Sequence, residues 1–223
     1  MENNDTPGLR ETKKLRTRHH LAATALELFL ERGFDAVSVA DVAAAAEVSK
    51  PTLFRYFPSK EDLVLDRFAD HQDEAARIVR DRPAGQGPVA ALHAHFTLAL
   101  ADRDPITGLS DIPDIVAFMR LLYSTDSLSS RISHYAEREV DLLAAVLEGE
   151  GVPSLTARLS AQHLVAVRHE LGRVNWQRLA AGLTAGEAYA DAVADADGAF
   201  GALGGGLDAV LPVRGAGGAV AAS

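Results

Sequence analysis

The chain has 223 residues, 48% hydrophobic and 24% charged, with a formal charge of −9, which fits one large soluble domain or a small one joined to a larger one. It has no cysteine, which excludes disulfides and thiolate metal sites, and no apolar run approaches the roughly 20 residues that span a bilayer. The opening MENNDTPGLRETKK lacks the apolar core of a secretory signal, so a cytoplasmic location without membrane contact is expected.

The charge is unevenly placed. Residues 1–60 hold nine Lys/Arg and eight Asp/Glu, a balance of +1, and the remainder carries −10. Arg10, Lys13, Lys14, Arg16 and Arg18 crowd together with only Glu11 opposing them. A basic segment thus stands ahead of an acidic body.

In chain order, almost every segment has helical period, and strict alternation is absent, so the expected fold class is all-α, with about nine helices. The first helix is predicted over Leu15 to Arg32, with Leu21, Ala25, Leu28 and Phe29 on one face and Gly33 as its stop. Ser38 and Asp41 form an S-x-x-D cap for a second, short helix ending near Ala46. A third covers about Lys50 to Phe57. Ser59, with Asp62 three residues on, opens a fourth that is expected to run to about Arg80. DRPAGQGP (81–88) then breaks the pattern. Beyond it lie helices around Leu92 and Phe96, around Ile115 to Leu122, and around Ile132 to Leu147. A long helix is expected from Ser154 to about Ala181. Thr184 and Glu187 cap a last one, with apolar Tyr189, Val193, Ala196, Phe200 and Leu203. The expected division is 1–58 for an N-terminal arm and small domain and 59–211 for a larger helical domain, with 59–80 as a connecting helix. Residues 212–223 read as a disordered tail.

Three short helices in the first 60 residues, with a tight turn between the second and third, suggest a helix-turn-helix, whose second helix enters the DNA major groove. The third helix offers Lys50, Thr52, Arg55 and Tyr56 on its polar side, while Leu53, Phe54 and Phe57 include the core-facing positions. Lysine can donate to guanine O6 or N7, and a threonine methyl can meet a thymine methyl. Arg55 and Tyr56 are placed to reach phosphates. Lys60 stands at the start of the fourth helix, where amides and the dipole favour an anion. The basic stretch holding Arg16 and Arg18 could add phosphate or minor-groove contacts; the bland alternative is a solvated, frayed terminus. Pro51 falls in the first helical turn, where its missing N–H costs nothing, with Ser49 or Lys50 as the cap; Pro58 ends the helix.

The segment TALELFLERGFDAVSVADVAAAAEVSKPTLFRYFPSKEDLV resembles the N-terminal DNA-binding domain of the TetR/AcrR family of one-component repressors. The resemblance covers about residues 15 to 68. It implies a homodimer, a two-half-site operator and a C-terminal domain that binds a small ligand and then releases DNA. It also draws Ser38, Pro51 and Phe54 into the expected DNA contacts, Phe54 because an aromatic at that place sometimes lies near a thymine methyl or phosphate. Many relatives carry glycine where Glu47 sits. If Glu47 must adopt a left-handed conformation, strain of roughly 1 kcal/mol is expected.

Family resemblance puts the ligand between the helices from about Val89 to Asn175. The candidates are polar or aromatic residues on apolar faces: His95 with Phe96, Met119 with Tyr123, and Arg168 with Leu171 and Asn175. The abundance of Leu, Phe, Met and Ala suggests an apolar effector, although any helical core shows it. The last two long helices, about 154–181 and 184–203, correspond to those that pair two subunits in the family. None of the histidine spacings resembles H-E-x-x-H, and no nucleophile elbow or phosphate loop is present, so no metal, cofactor or catalytic role is expected. An activator of the same family, or a helical ligand-binding protein without DNA binding, are the alternatives.

Overall fold

The computed structural model describes residues 8–69 and 71–215. Among them are ten α-helices and no strand: α1 Leu9–Arg32, α2 Val39–Ala45, α3 Lys50–Tyr56, α4 Lys60–Ala69, α5 Glu74–Asp81, α6 Pro88–Ala101, α7 Pro113–Ser124, α8 Asp126–Gly149, α9 Ser154–Ala180 and α10 Ala185–Leu207, with a 3-10 turn at Pro105–Thr107. The all-α expectation holds. The chain divides into two compact units, one of residues 8–69 with 120–132, the other of 71–119 with 133–215.

In the first unit α1 packs on α2 and α4, and α2 on α3. Leu21, Ala25 and Phe29 of α1, spaced four apart, meet Val42, Leu53, Phe57, Leu63 and Leu65 in a core with almost no solvent access. Helix starts follow the predicted caps. The Ser38 side chain accepts from the Asp41 amide at 3.2 Å while the Asp41 carboxylate accepts from the Ser38 amide at 2.8 Å. The Ser38 hydroxyl and amide bonds hold the Asp41 carboxyl below its ordinary range. Ser59 and Asp62 make the same reciprocal pair at 3.1 and 3.2 Å, and Ser49, not Lys50, caps α3.

Three boundaries differ from expectation. α1 begins at Leu9, so Lys13, Lys14 and Arg16 lie on the helix rather than ahead of it; Leu, Arg, Glu and Lys are good helix formers, and Gly8 is the first residue outside. The predicted helix from 59 to 80 is two helices with a turn at 71–73. The run DHQDE (70–74) has no apolar residue to keep a helix on the core, and Glu74 turns inward to the Arg168 guanidinium at 2.7 Å. Residues 212–214, expected in the tail, run against the break after α5: the Gly85 amide donates to the Arg214 carbonyl at 2.7 Å, and the Arg214 amide to that of Gln86 at 3.2 Å. The rest of the expected tail, 216–223, lies outside the described residues.

The second unit packs α10 against α6 and α9, and α5 against α6. The buried stripe of α10 is Ala185, Ala188, Ala192, Ala196 and Phe200; it shares Ala196 and Phe200 with the predicted face, while Val193 and Leu203 are half-buried and Tyr189 is exposed. Alanine there lets neighbouring helices approach closely. A buried Arg82 joins this unit's loops. Its guanidinium grips Glu150 at 2.6 and 2.7 Å and donates to the Gln86 and Pro212 carbonyls at 2.9 and 3.0 Å.

Glu47, in the turn between α2 and α3, has φ 55, the left-handed conformation anticipated for it. Replacing it by glycine removes that strain and adds some unfolded-chain entropy. Glu47→Gly is therefore expected to stabilise by about 0.5–1 kcal/mol, raising Tm by roughly 2 °C for a chain this long. Thermal denaturation by circular dichroism checks this, and an unchanged or lower Tm would contradict it.

Candidate nucleic-acid interface

Helix α3 is barely two turns long, with Pro51 in its first turn and Phe57 as its C-cap. Leu53 and Phe57, four residues apart, are fully buried and hold it to the first unit's core. The opposite side is presented outward: Lys50, Pro51 and Arg55 are exposed, and Thr52 and Tyr56 are half-buried. Phe54 joins this outer side with 42% exposure, so it does not belong to the core positions with which the sequence grouped it. The Lys50 ammonium stands 5.9 Å from the Phe54 ring centroid, and the Arg55 guanidinium 5.5 Å from that of Tyr56. The outer face of α3 therefore combines two cations, two aromatic rings and two hydroxyls. These groups suit base edges and phosphates.

Two of the basic residues assigned to phosphates are turned inward. Arg18 donates from Nε to Asp66 Oδ1 at 2.6 Å and from a terminal nitrogen to the Tyr56 carbonyl at 3.1 Å. Lys60 donates to the Phe34 carbonyl and lies 4.1 Å from the Phe34 ring centroid. Arg16 is exposed on α1. The Ser38 hydroxyl serves the α2 cap. Sequence reasoning missed Asp66 and Asp62, which hold Arg18 and, at 2.8 Å, Arg131. The signal was present: two aspartates four apart on a helix otherwise burying Leu63 and Leu65 need cationic partners.

Several of the seven candidate effector residues have partners of their own within the fold. The charges of Arg168 and His95 both act on the Glu74 carboxyl. Arg168 also grips Glu139 at 2.5 Å, and His169 lies 2.8 Å from Glu139. Burial opposes ionisation of Glu74, but the His71 hydrogen bond and the Arg168, His95 and His71 charges outweigh it and hold the carboxyl at about 2. Asn175 has a structural task instead, donating to the buried Thr107 carbonyl at 2.9 Å. Phe96 tilts against Phe200 with ring centroids 6.1 Å apart. Met119 and Leu171 are buried core residues, and Tyr123 belongs to the first unit. A shallow groove of about 350 Å³ between α8 and α9 is lined by Asp141, Ala144, Ala145, Glu148, Ser154, Leu155 and Arg158 and includes none of the seven. No cluster of His, Asp or Glu among the described residues could hold a metal, and no described helix is long and apolar enough to cross a membrane.

A capped helix pair with a tight left-handed turn, an outward cationic face and an all-helical second unit defines a helix-turn-helix DNA-binding regulator. The family model for bacterial regulatory proteins of the tetR family matches residues 21–66. The HTH-type transcriptional regulator TcmR of Streptomyces glaucescens is 33% identical over 169 residues, covering 75% of both chains. The chain therefore belongs to the tetR family of transcriptional regulators. Solved structures agree in fold. The TetR-family repressor AlkX from Dietzia sp. is 23% identical with a TM-score of 0.52, covering 86% of this chain and 98% of that one. Salmonella enterica GusR is 20% identical with a TM-score of 0.52, covering 92% and 100%.

Proposed function

We propose that the chain is a homodimeric repressor that reads a roughly palindromic operator through two copies of α3, about one helical turn apart, and leaves it when a small effector binds the second unit. The observation that carries the DNA-reading step is α3 itself, anchored by buried Leu53 and Phe57 and exposing Lys50, Pro51, Phe54 and Arg55. The remaining expected contacts on α3, Thr52 and Tyr56, stand half-buried beside them.

The outer faces of α9 and α10 support pairing of two copies. On α9, Leu155 is 73% exposed and Leu159 is also exposed. On α10, a β-carbon at Gly198, Gly201 or Gly205 would meet nothing within 4 Å, although glycine inside a helix costs about 1 kcal/mol relative to alanine. Such a row is explicable if a second helix lies against it. For the effector, the apolar core favours a largely apolar molecule. Ser110 Oγ, buried without a hydrogen-bond partner among the described residues, adds one polar group for it to meet.

Selection of bound duplexes from random DNA tests the proposal. Enrichment of an inverted repeat is the expected result, and no enriched sequence would overturn it. On the selected duplex, Lys50→Ala should cost about 1–3 kcal/mol and relax preference at one position of each half-site. Equal loss on selected and scrambled duplexes would remove Lys50 from base reading.

A further inference from the structure

We infer that Arg18 is a positioning residue for DNA reading, fixing the pose of α3 instead of holding a phosphate. The inference rests on the proposal that α3 reads DNA. All three guanidinium nitrogens of Arg18 are engaged inside the first unit. Nε and one terminal nitrogen each lie 2.6 Å from Asp66 Oδ1. The other donates to the Tyr56 carbonyl at 3.1 Å, and the guanidinium covers the Phe57 ring at 4.6 Å from its centroid.

Tyr56 is the last residue of α3 and Phe57 its C-cap. The carbonyls of a last helical turn have no partner within the helix, and Arg18 supplies one. Its anchors are α1, which carries it, and Asp66 of α4, which is only 6% exposed. One side chain thus joins the end of the reading helix to the two helices that frame it. Moving to a phosphate would separate a buried carboxylate from a countercharge held at 2.6 Å and reopen the helix end, both unfavourable. The planar fork of arginine makes the three-way grip possible; a lysine could supply charge but not this geometry. The Ser49 cap fixes the first turn of this short helix, and Leu53 and Phe57 fix its buried face, but neither satisfies the carbonyls of its last turn. Fixing one of these carbonyls holds Lys50, Phe54 and Arg55 in one register.

The test uses the full chain, a duplex selected by the wild type from random DNA, and a scrambled duplex of equal length. Arg18→Met should weaken binding to the selected duplex by about tenfold, with a smaller loss on the scrambled one, at temperatures where circular dichroism shows both proteins folded. The slope of log affinity against log salt should stay unchanged, whereas a lost phosphate contact lowers it by about one unit. Asp66→Asn should reproduce the loss, and the double variant should be no worse than either single. If Arg18→Met does not fold, Arg18→Lys and Asp66→Asn carry the same comparison. Amide exchange of the DNA-free protein gives a second readout: residues 53–57 should exchange faster in the variants while α2 does not.

A salt slope reduced by about one unit with equal loss on both duplexes, or wild-type binding by Asp66→Asn, would overturn the inference. A wild type that selects no sequence refutes the DNA-reading proposal instead, and the exchange rates of α3 then decide whether the clamp exists. Unchanged exchange in all variants would reject it.

Discussion

Gly108→Ala is expected to destabilise the protein by about 3–4 kcal/mol, combining left-handed strain with overpacking. Gly108 ends the 3-10 turn Pro105–Thr107 with φ 71. It lies against α9 where that helix also has a glycine, Gly172. A β-carbon at 108 would collide with the Gly172 carbonyl, lying 2.9 Å from its carbon and 3.1 Å from the Trp176 nitrogen. These atoms are backbone of a long buried helix and cannot rotate away. The turn cannot lift either, because the buried Asn175 amide holds the Thr107 carbonyl at 2.9 Å and Thr107 has no solvent access. Gly182 provides the control. It has φ 100, but a β-carbon there meets nothing within 4 Å, so Gly182→Ala should cost only the conformational strain of about 1 kcal/mol. The expected fall in Tm is roughly 10 °C for the first variant and roughly 3 °C for the second. Thermal melts followed at 222 nm measure both. Equal shifts would show that the contact with α9 is not tight.

The local features of the fold were legible because they are local. Ser38–Asp41, Ser59–Asp62 and Thr184–Glu187 each put the capping partners three residues apart, and Pro51 marks a first turn wherever it stands. Glu47 was legible as a misfit in a turn that calls for glycine. The inward turn of Arg18 was not, since its carboxylate lies 48 residues away. Nor was that of Lys60, whose carbonyl is 26 residues away. Spacing along the chain says that a cation is present, not which anion the fold brings to it. Phe54 was misgrouped for a different reason. Leu53 and Phe57 share a face at i and i+4, and the position next to Leu53 is turned by about 100°; hydrophobicity alone obscured that. The surroundings of the effector candidates were least legible. Helical period put Arg168, Leu171 and Asn175 on one face of α9, as the structure has them, but their partners are the Glu74 and Glu139 carboxylates and the Thr107 carbonyl, which only the tertiary fold supplies.

Arg168→Met should be the most damaging single change in the second unit, and its cost should depend on pH. Arg168 lies between two carboxylates, 2.7 Å from Glu74 and 2.5 Å from Glu139, with all three side chains nearly shielded from solvent. Replacing all three members of such a cluster can be neutral, but removing only the arginine leaves two buried carboxylates without it, a cost of about 3–5 kcal/mol at neutral pH. The sign with pH follows from Glu74. Its folded value of about 2 lies below the ordinary 4.5, so its stabilising contribution is complete above pH 4.5 and is lost as pH falls toward 2. Without Arg168 the largest opposing effect, burial, acts on a Glu74 carboxyl that has lost its strongest countercharge. Protonation then favours the folded state. The unfolded chains titrate alike, so the variant should be least stable relative to wild type near pH 7, and the gap should narrow as pH falls from there toward the wild-type folded value of about 2. Glu74→Gln tests the same cluster from the other side. Arg168 keeps Glu139, so the loss should be smaller, and the wild-type decline between pH 4.5 and 2 should be flatter. Urea unfolding across pH 3–7 measures all three proteins. A gap for Arg168→Met that stays constant over that range would mean that the Glu74 carboxylate does not depend on the arginine for its charge.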